Sequence, residues 1–234
     1  GRVIAVACFG AAGNVDAAAS TTELLNHLKP RAVVMVGIAA GMRDKCRLGE
    51  VVLSERIVAY EGAALVARGG ETSTSPRPEQ YRLAHVLKQD LAAYLSDPAA
   101  ARSRLSALAL QVGLVLPEAA DAGPVASDPL PRLATVGSGE KLIRDPDRFR
   151  ALRDLHGKLD VAEMEAVGVA NACERAGTPY LVVRGISDFG DERKDDRFHE
   201  LAAKAAAVVA RDFIAYGLVF RPDSAPKSAG LGRP

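Results

Sequence analysis

The chain has 234 residues, of which 48% are hydrophobic and 25% are charged. A chain of this size and composition can bury one ordinary α/β core. Its formal net charge of +1 argues against nucleic acid or an anionic membrane as the main partner. Because it has neither an apolar run of 18 residues nor a charged-then-apolar leader, the sequence predicts a soluble, cytoplasmic protein.

Cysteines and histidines do not follow the spacing of metal sites. The three cysteines, Cys8, Cys46 and Cys173, include no CxxC pair, and the four histidines form no HxxxH motif. An odd number of widely spaced cysteines fits reduced thiols in the cytoplasm. The sequence therefore predicts neither a metal site nor a bound cofactor.

The first 60 residues alternate between apolar runs and helical spacing. Residues 3–8 and 32–38 are apolar runs with β-branched members, which predict buried strands. Between them, residues 10–14 (GAAGN) predict a turn and residues 15–28 a helix. These elements would form one right-handed βαβ unit with parallel strands. Residues 50–60 predict a longer strand.

The middle of the chain is harder to interpret, and residues 62–131 are treated as a variable or inserted region. A turn-rich loop at 73–78 leads into a predicted helix at 79–96. The alanine- and proline-rich part that follows predicts a short helix and an insertion. The core resumes at 132–136, and residues 141–155 have amphipathic, helical spacing.

The most informative stretch is residues 163–188, EMEAVGVANACERAGTPYLVVRGISD. The pattern predicts a helix over 161–176 that stops at Gly177, followed by a buried strand over 180–186. Glu163 and Glu165 would lie in the first turn of that helix.

Asp188 would come just past the strand, so a helix-turn-strand hairpin can return Glu163, Glu165 and Asp188 to one end of a sheet. Paired acids there suit chemistry on a neutral, hydroxylated small molecule. The alternative is purely structural: the glutamates favour the helix N-terminus and Asp188 caps a turn.

The end of the chain predicts one more helix and a tail. Asp195 or Asp196 can cap a helix that runs to about residue 216. Alternating strands and helices predict a three-layer α/β domain over residues 1–220. The Pro-, Gly- and Ser-rich residues 221–234 predict a disordered tail or linker. This tail, together with a first residue other than Met, favours an excised domain or a fragment of a larger protein.

Three segments, in this order, resemble the purine nucleoside phosphorylase/nucleosidase superfamily: VGIAAGMRDKCRLGEVVLS, SGEKLI and the run over residues 163–188. The resemblance covers residues 3–216 and is closest to methylthioadenosine/S-adenosylhomocysteine nucleosidases. It implies a three-layer αβα domain with a central mixed sheet that lacks its first strand. It also implies a homodimer or higher homo-oligomer. The linker-like tail and the missing first strand favour fusion to further domains in the full-length protein.

The resemblance assigns roles to single residues. It implies that Glu165 accepts hydrogen bonds from the ribose 2′- and 3′-hydroxyls, with Met164 packed under the sugar. It implies that Asp188 bridges to the purine N7 and exocyclic amine and protonates the leaving base, and that Ser187 and Arg184 orient Asp188. Further substrate contacts are implied for Gly37, Ile38 and Ala39 after the second strand and for Leu142 and Ile143 in SGEKLI.

Elementary chemistry supports these two catalytic acids. Cleavage of an N-glycosidic bond passes through an oxocarbenium-like sugar, whose positive charge a carboxylate on the ribose hydroxyls stabilises. Departure of the base needs a general acid. Asp188 also follows a strand, and open α/β sheets bind ligands at the carboxyl ends of their strands.

The nucleophile is predicted from what stands at the end of the second strand. Phosphorylases of the hexameric type have R-V-G-S there, whereas this chain has Met35 and Ile38 at the positions of the Arg and Ser. Burying a phosphate dianion against apolar side chains is costly, so water is favoured. Arg31 or Arg43 could still supply charge from nearby. The water-activating glutamate of the family has no counterpart that the sequence identifies.

The sequence thus predicts hydrolysis of an adenine nucleoside such as methylthioadenosine or S-adenosylhomocysteine to free base. One alternative is a nucleotide-sensing module of a larger signalling or defence protein, which acts on AMP or ATP or does not catalyse. The other is a phosphate-dependent phosphorylase. If the basic side chains of Arg68, Arg77 and Arg82 clamp a 5′-phosphate rather than face solvent, the substrate is a nucleotide.

Overall fold

The computed structural model describes residues 3–68, 71–117, 123–191 and 196–219. The first part of the fold runs α1 (Asn14–Leu28), β1 (Val33–Gly41), β2 (Val51–Ala59), β3 (Ala63–Arg68), β4 (Glu71–Pro76), β5 (Glu79–Arg82), α2 (His85–Leu95) and α3 (Pro98–Gln111). The second part runs β6 (Arg132–Ser138), α4 (Pro146–Leu155), β7 (Leu159–Glu163), α5 (Ala166–Ala176), β8 (Tyr180–Asp188) and α6 (Arg197–Asp212), with a π-helical turn at Phe213–Gly217.

Strands β2, β6, β7, β1 and β8 pair in that order, and β8 pairs again with β2, so these strands close into a ring. The β2–β6, β6–β7 and β1–β8 pairs are parallel, whereas β7–β1 and β8–β2 are antiparallel. Strand β5 adds to the outer side of β2. Every residue of β8 but its last is buried, as expected for a strand covered on both faces.

Helices cover the sheet on both faces. Helices α1 and α5 pack together over one apolar cluster, and α2, α3 and α6 contribute to another on β2 and β8. Helix α4 packs against β7. This arrangement confirms the predicted mixed α/β domain with a central sheet.

The strand predicted over residues 3–8 is wrong. No strand is assigned there, and Val3 and Val6 are 100% and 87% exposed. A strand needs a hydrogen-bonded neighbour, and none of the described strands pairs with this segment. Apolar, β-branched composition alone therefore does not place it in the sheet.

Three predicted boundaries in the middle of the chain also change. The helix predicted from residue 79 begins only at His85, because Glu79–Arg82 pairs with β2. The loop predicted at 73–78 is largely strand β4 of the β3–β4 hairpin. The helix predicted from residue 141 begins at Pro146, where Asp145 caps its first turn and proline suits the first helical position.

The last predicted helix is present as α6 and its π-helical continuation. Asp196 precedes it but makes no side-chain capping bond, and Asp195 lies outside the described residues. The predicted tail at 221–234 also lies outside them. Within the described ranges, no helix combines the length and the apolar character needed to cross a bilayer.

Candidate active site

Glu163 and Glu165 lie at a strand-to-helix junction rather than inside one helix. Glu163 is the last residue of β7, and Glu165 is the N-cap of α5. The helix predicted over 161–176 is therefore wrong in its first turn, because residues 159–163 pair with β6 instead. As a result, both glutamates lie where β7, a strand of the closed ring, ends and α5 begins.

Glu163 satisfies the start of α5. Its carboxylate accepts hydrogen bonds from the backbone N–H groups of Glu165 and Ala166, each at 3.0 Å. The first N–H groups of a helix have no partner within the helix, and a carboxylate there also favours the helix dipole. The helix-terminus role predicted for Glu163 matches this geometry, although the residue itself belongs to a strand.

The next two N–H groups of α5 are satisfied by residues far away in sequence. Ser138 Oγ accepts from Val167 N at 3.2 Å, and Asn14 Oδ1 accepts from Gly168 N at 2.9 Å. Ser138 Oγ also donates to Asn14 Oδ1 at 3.0 Å. The helix that begins at Glu165 is thus held by β6 and by the start of α1.

We expect Asn14→Ala to lower the free energy of unfolding by about 1 kcal/mol, the usual cost of a lost cap. Because the same cap fixes the helix that carries Glu165, kcat/KM should fall by about tenfold, equivalent to about 1.4 kcal/mol. Chemical denaturation and steady-state assays measure the two effects. Asn26→Ala, an exposed position on the same helix, is the matched control and should change neither.

Arg184 joins the two glutamates. Its side chain is buried, its guanidinium forms a hydrogen-bonded ion pair with Glu163, and its Nη2 lies 3.0 Å from Glu165 Oε2. Met35 Sδ lies 3.6 Å from the same nitrogen. The sequence predicts that Arg184 orients Asp188, but the structure places its guanidinium on Glu163 and Glu165 instead. Arg184 therefore fixes the carboxylate predicted to bind ribose, not the predicted general acid.

Gly37 leaves room for this arginine. It pairs with Arg184 in the parallel β1–β8 register, and a Cβ at position 37 would lie 1.8 Å from Arg184 Nη1. Non-bonded heavy atoms do not approach each other that closely. A side chain at position 37 would therefore push the guanidinium away from Glu163 and Glu165, so a small residue here suits the buried arginine independently of any ligand.

Glu165 has an unusual electrostatic environment. Burial is the largest cause that raises its pKa, and the neighbouring Glu163 charge acts in the same direction. Arg184 and a hydrogen bond from Gly13 N to Glu165 Oε1, at 3.4 Å, oppose this increase. On balance the pKa of Glu165 is raised, so this carboxyl takes up a proton at a higher pH than an ordinary glutamate.

Asp188 is held by its own neighbours at the end of β8. Ser187 Oγ donates to Asp188 Oδ2 at 2.9 Å, and Gly190 N donates to Asp188 Oδ1 at 2.9 Å. Ser187 Oγ also lies 3.3 Å from the carbonyl oxygen of Ala39 in β1. The orienting role predicted for Ser187 thus corresponds to a direct contact.

The other predicted substrate contacts differ in burial. Met164, between the two glutamates, and Ile38 in β1 are half-buried. Leu142 and Ile143 lie in the loop between β6 and α4, where Leu142 is exposed and Ile143 packs against the cluster around Met42.

Two segments near the site carry roles that sequence reasoning did not identify. The sequence predicts only a turn at residues 10–14, yet Gly13 N donates to Glu165 and Asn14 caps α5. Glu140, from SGEKLI, accepts from Asn14 N at 3.2 Å. An asparagine at a helix start normally caps its own helix, so no local pattern signals that Asn14 serves another one.

Among the residues that the structure describes, no group of three or more His, Cys, Asp or Glu side chains could hold a metal ion. The candidate site does hold two fixed carboxyl groups. Glu165 is a buried hydrogen-bond acceptor balanced by a cation, and Asp188 is a carboxyl group in hydrogen-bonding contact with Ser187 and Gly190. Such a pair can stabilise a positive charge on one part of a ligand and exchange a proton with another.

Comparisons with known proteins show the family of the chain. Residues 1–215 match the model of the phosphorylase superfamily. The ATP nucleosidase Cap17 of Escherichia coli (strain KTE188) is 49% identical over 214 residues, which are 92% of this chain but 42% of that protein. The chain therefore spans about two fifths of the length of this relative. A 5′-methylthioadenosine/S-adenosylhomocysteine nucleosidase of Marinomonas sp. (strain MWYL1) is 29% identical, with 83% of this chain and 72% of that protein covered.

Solved structures show the same fold. The methylthioadenosine/S-adenosylhomocysteine nucleosidase of Colwellia psychrerythraea 34H, in complex with adenine, superposes with a TM-score of 0.65 at 20% identity, covering 90% of this chain and 78% of that one. The futalosine hydrolase of Helicobacter pylori strain 26695 gives a TM-score of 0.60 at 18% identity, covering 87% and 76%.

Proposed function

The chain belongs to the phosphorylase superfamily, and we propose that it is a nucleosidase that hydrolyses the N-glycosidic bond of an adenine nucleoside or nucleotide. The observation that carries this proposal is that β1 lies between β7 and β8, with Ala40 opposite both Ala162 and Asp188. This brings to one edge of the sheet two fixed carboxyl groups: Glu165, held by Arg184 at 3.0 Å, and Asp188, held by Ser187 and Gly190. Both lie in the part of the chain that links β7, α5 and the end of β8.

Glu165 acts on the sugar. Its carboxylate accepts the ribose hydroxyls and stabilises the positive charge that develops as the glycosidic bond breaks. Arg184 and the capped start of α5 hold it in place before the substrate arrives, so little reorganisation is needed in the transition state. Glu163 supports the same arrangement, because it binds both Arg184 and the first N–H groups of the helix.

Asp188 acts on the base. It delivers a proton to the purine, which converts the departing base into a neutral leaving group. The Ser187 hydroxyl and the Gly190 N–H aim its two oxygens, and this fixes the direction of proton transfer. Ser187 itself is anchored near the Ala39 carbonyl of the neighbouring strand.

Water is the proposed nucleophile. Met35 is buried beside Arg184, and that arginine is already shared by two carboxylates. Arg43, which could have supplied charge, pairs with Asp191 at 2.6 Å and stacks on the Phe189 ring. A phosphate dianion would therefore have to compete with carboxylates already in place for these cations.

The relatives suggest which substrate to test first. The 49% identical relative is named an ATP nucleosidase, which favours ATP or another 5′-phosphorylated adenine nucleotide. Methylthioadenosine and S-adenosylhomocysteine are the second candidates, since proteins named for them match at 29% identity. The activity of the whole protein, its partners and a role as a nucleotide sensor are likewise proposals. The matched region covers only 42% of that first relative.

The test is a panel of ATP, AMP, adenosine, methylthioadenosine and S-adenosylhomocysteine, assayed for free adenine by chromatography with and without phosphate. We expect adenine release in phosphate-free buffer, with ATP turned over fastest. Formation of ribose 1-phosphate only when phosphate is present would instead establish a phosphorylase. If no adenine appears from any of the substrates, the catalytic proposal is wrong and a binding role replaces it.

A further inference from the structure

A cavity of about 340 Å³ lies away from the candidate active site, between β2, β6 and the turn that joins α4 to β7. We call it the β2–β6 cavity. It shares no residue with the site described above. It is lined by Glu55, Arg56, Thr135, His156, Gly157 and Lys158.

Arg56 carries a positive charge into this cavity without a carboxylate partner in the described part of the chain. Its Nη1 lies 2.7 Å from Gln80 Oε1 and 3.1 Å from His156 Nε2. Arg82 stands directly opposite it in the antiparallel β2–β5 pair. Side chains directly opposite in a sheet lie on one face, and like charges there are destabilising. Arg82 is not among the residues that line the cavity, but an anion bound to Arg56 would reduce this repulsion.

Lys158 adds a second positive charge to the lining, whereas His156 is disfavoured from carrying one. Burial is the first cause that lowers the pKa of His156, followed by the charges of Arg56 and Lys158. The one acid that lines the cavity, Glu55, lies 4.0 Å from Lys88 Nζ. Thr135, largely buried, contributes a hydroxyl to the lining. The cavity therefore offers hydrogen-bond donors from several directions and a net positive field.

We propose that the β2–β6 cavity binds the phosphate groups of a small molecule. A guanidinium, an ammonium and a hydroxyl are groups that recognise phosphate oxygens, and arginine can bind two of those oxygens at once. The volume is in the range of small-ligand pockets rather than of a single water site. The inference is independent of the proposed hydrolysis, because it rests on other residues.

The experiment is a titration followed by the imidazole NMR signals of His156, assigned with His156→Gln. The protein carries Asp188→Asn, so that a nucleotide is not consumed. We expect pyrophosphate to shift these signals with a Kd below about 1 mM, and to raise the pKa of His156 by about half a unit or more. ATP and inorganic phosphate are titrated in parallel. Tighter binding of ATP assigns the site to a nucleotide, and equal binding of ATP and pyrophosphate assigns it to the phosphates alone.

Two variants test the residues. Arg56→Gln and Lys158→Gln should each weaken pyrophosphate binding by about tenfold; Lys158 is exposed, so its replacement does not endanger folding. Arg102→Gln is the control, since this exposed arginine pairs with Asp128 elsewhere, and it should leave the Kd unchanged. The proposal is overturned if about 20 mM pyrophosphate leaves the His156 signals in place, or if equal ionic strength of sodium chloride reproduces the shift. Unchanged affinity in both variants would overturn it too.

Discussion

Replacing Asp188 with asparagine is expected to lower kcat for adenine release by at least about 100-fold. Asparagine keeps the size: its Oδ1 can still accept from Gly190 N, and its Nδ2 can donate to the Ser187 hydroxyl oxygen. It has no acidic proton to deliver to the base. Substrate affinity should change much less, because the lost interaction belongs to the transition state. Single-turnover measurement of adenine release separates the two effects.

A riboside with a nitrophenolate leaving group is the sharpest control for this variant. Nitrophenolate departs as an anion and needs no proton, so Asp188→Asn should cleave it at close to the wild-type rate. Ser187→Ala, which removes one of the two hydrogen bonds to the carboxyl group, should fall between wild type and Asp188→Asn on the nucleoside. Wild-type turnover of adenine substrates by Asp188→Asn would refute the general-acid assignment.

Glu165→Gln is expected to reduce kcat/KM by at least about 100-fold, because the neutral amide no longer stabilises the developing positive charge on the sugar. Glutamine preserves the shape and one hydrogen-bond acceptor for Arg184, so folding should be retained. Here the nitrophenyl riboside should be affected as strongly as the adenine substrate, since both pass through a charged sugar. This contrast distinguishes Glu165 from Asp188 in one pair of assays.

The pH profile of the wild-type enzyme provides a second measurement of the same residue. The ionised form of Glu165 is the active one, and its pKa is raised. Activity should therefore decline as the pH falls through a value above the usual glutamate range. Glu200→Gln, which alters an exposed glutamate paired with Lys204, should leave both rate and profile unchanged. An acid limb that begins below the usual range would contradict the assignment.

Local patterns predicted the parts of the fold that depend on neighbouring residues. The stop at Gly177 is an example: it adopts a left-handed conformation, with φ 65°, and its N–H bonds back to the last turn of α5. The buried run over residues 180–186 lies in β8, because its apolar and β-branched side chains are typical of a strand covered on both faces. The acids of residues 163–188 were identified by their order along the chain.

What could not be predicted depends on partners distant in sequence. The local pattern of residues 159–163 fits both a helix and a strand, and pairing with β6 makes this segment a strand. Asn14 caps α5 across 154 positions, which no window of sequence reveals. Residues 3–8 show the opposite case, since their composition favours a strand but none of the described strands pairs with them.

The contact between Gly37 and Arg184 has a consequence for how this protein can change. A side chain at position 37 would displace the Arg184 guanidinium, whereas a shorter residue at 184 leaves Gly37 undisturbed, so the order of substitution matters. Mutagenesis that reaches one codon at a time can shorten residue 184 first and then enlarge residue 37, but the reverse order first disturbs the buried ion pairs. A shorter residue at 184 would release the two glutamates and open space beside β1. Variants that follow the accessible order would therefore lose the cation that holds Glu165, the carboxylate proposed to bind the sugar.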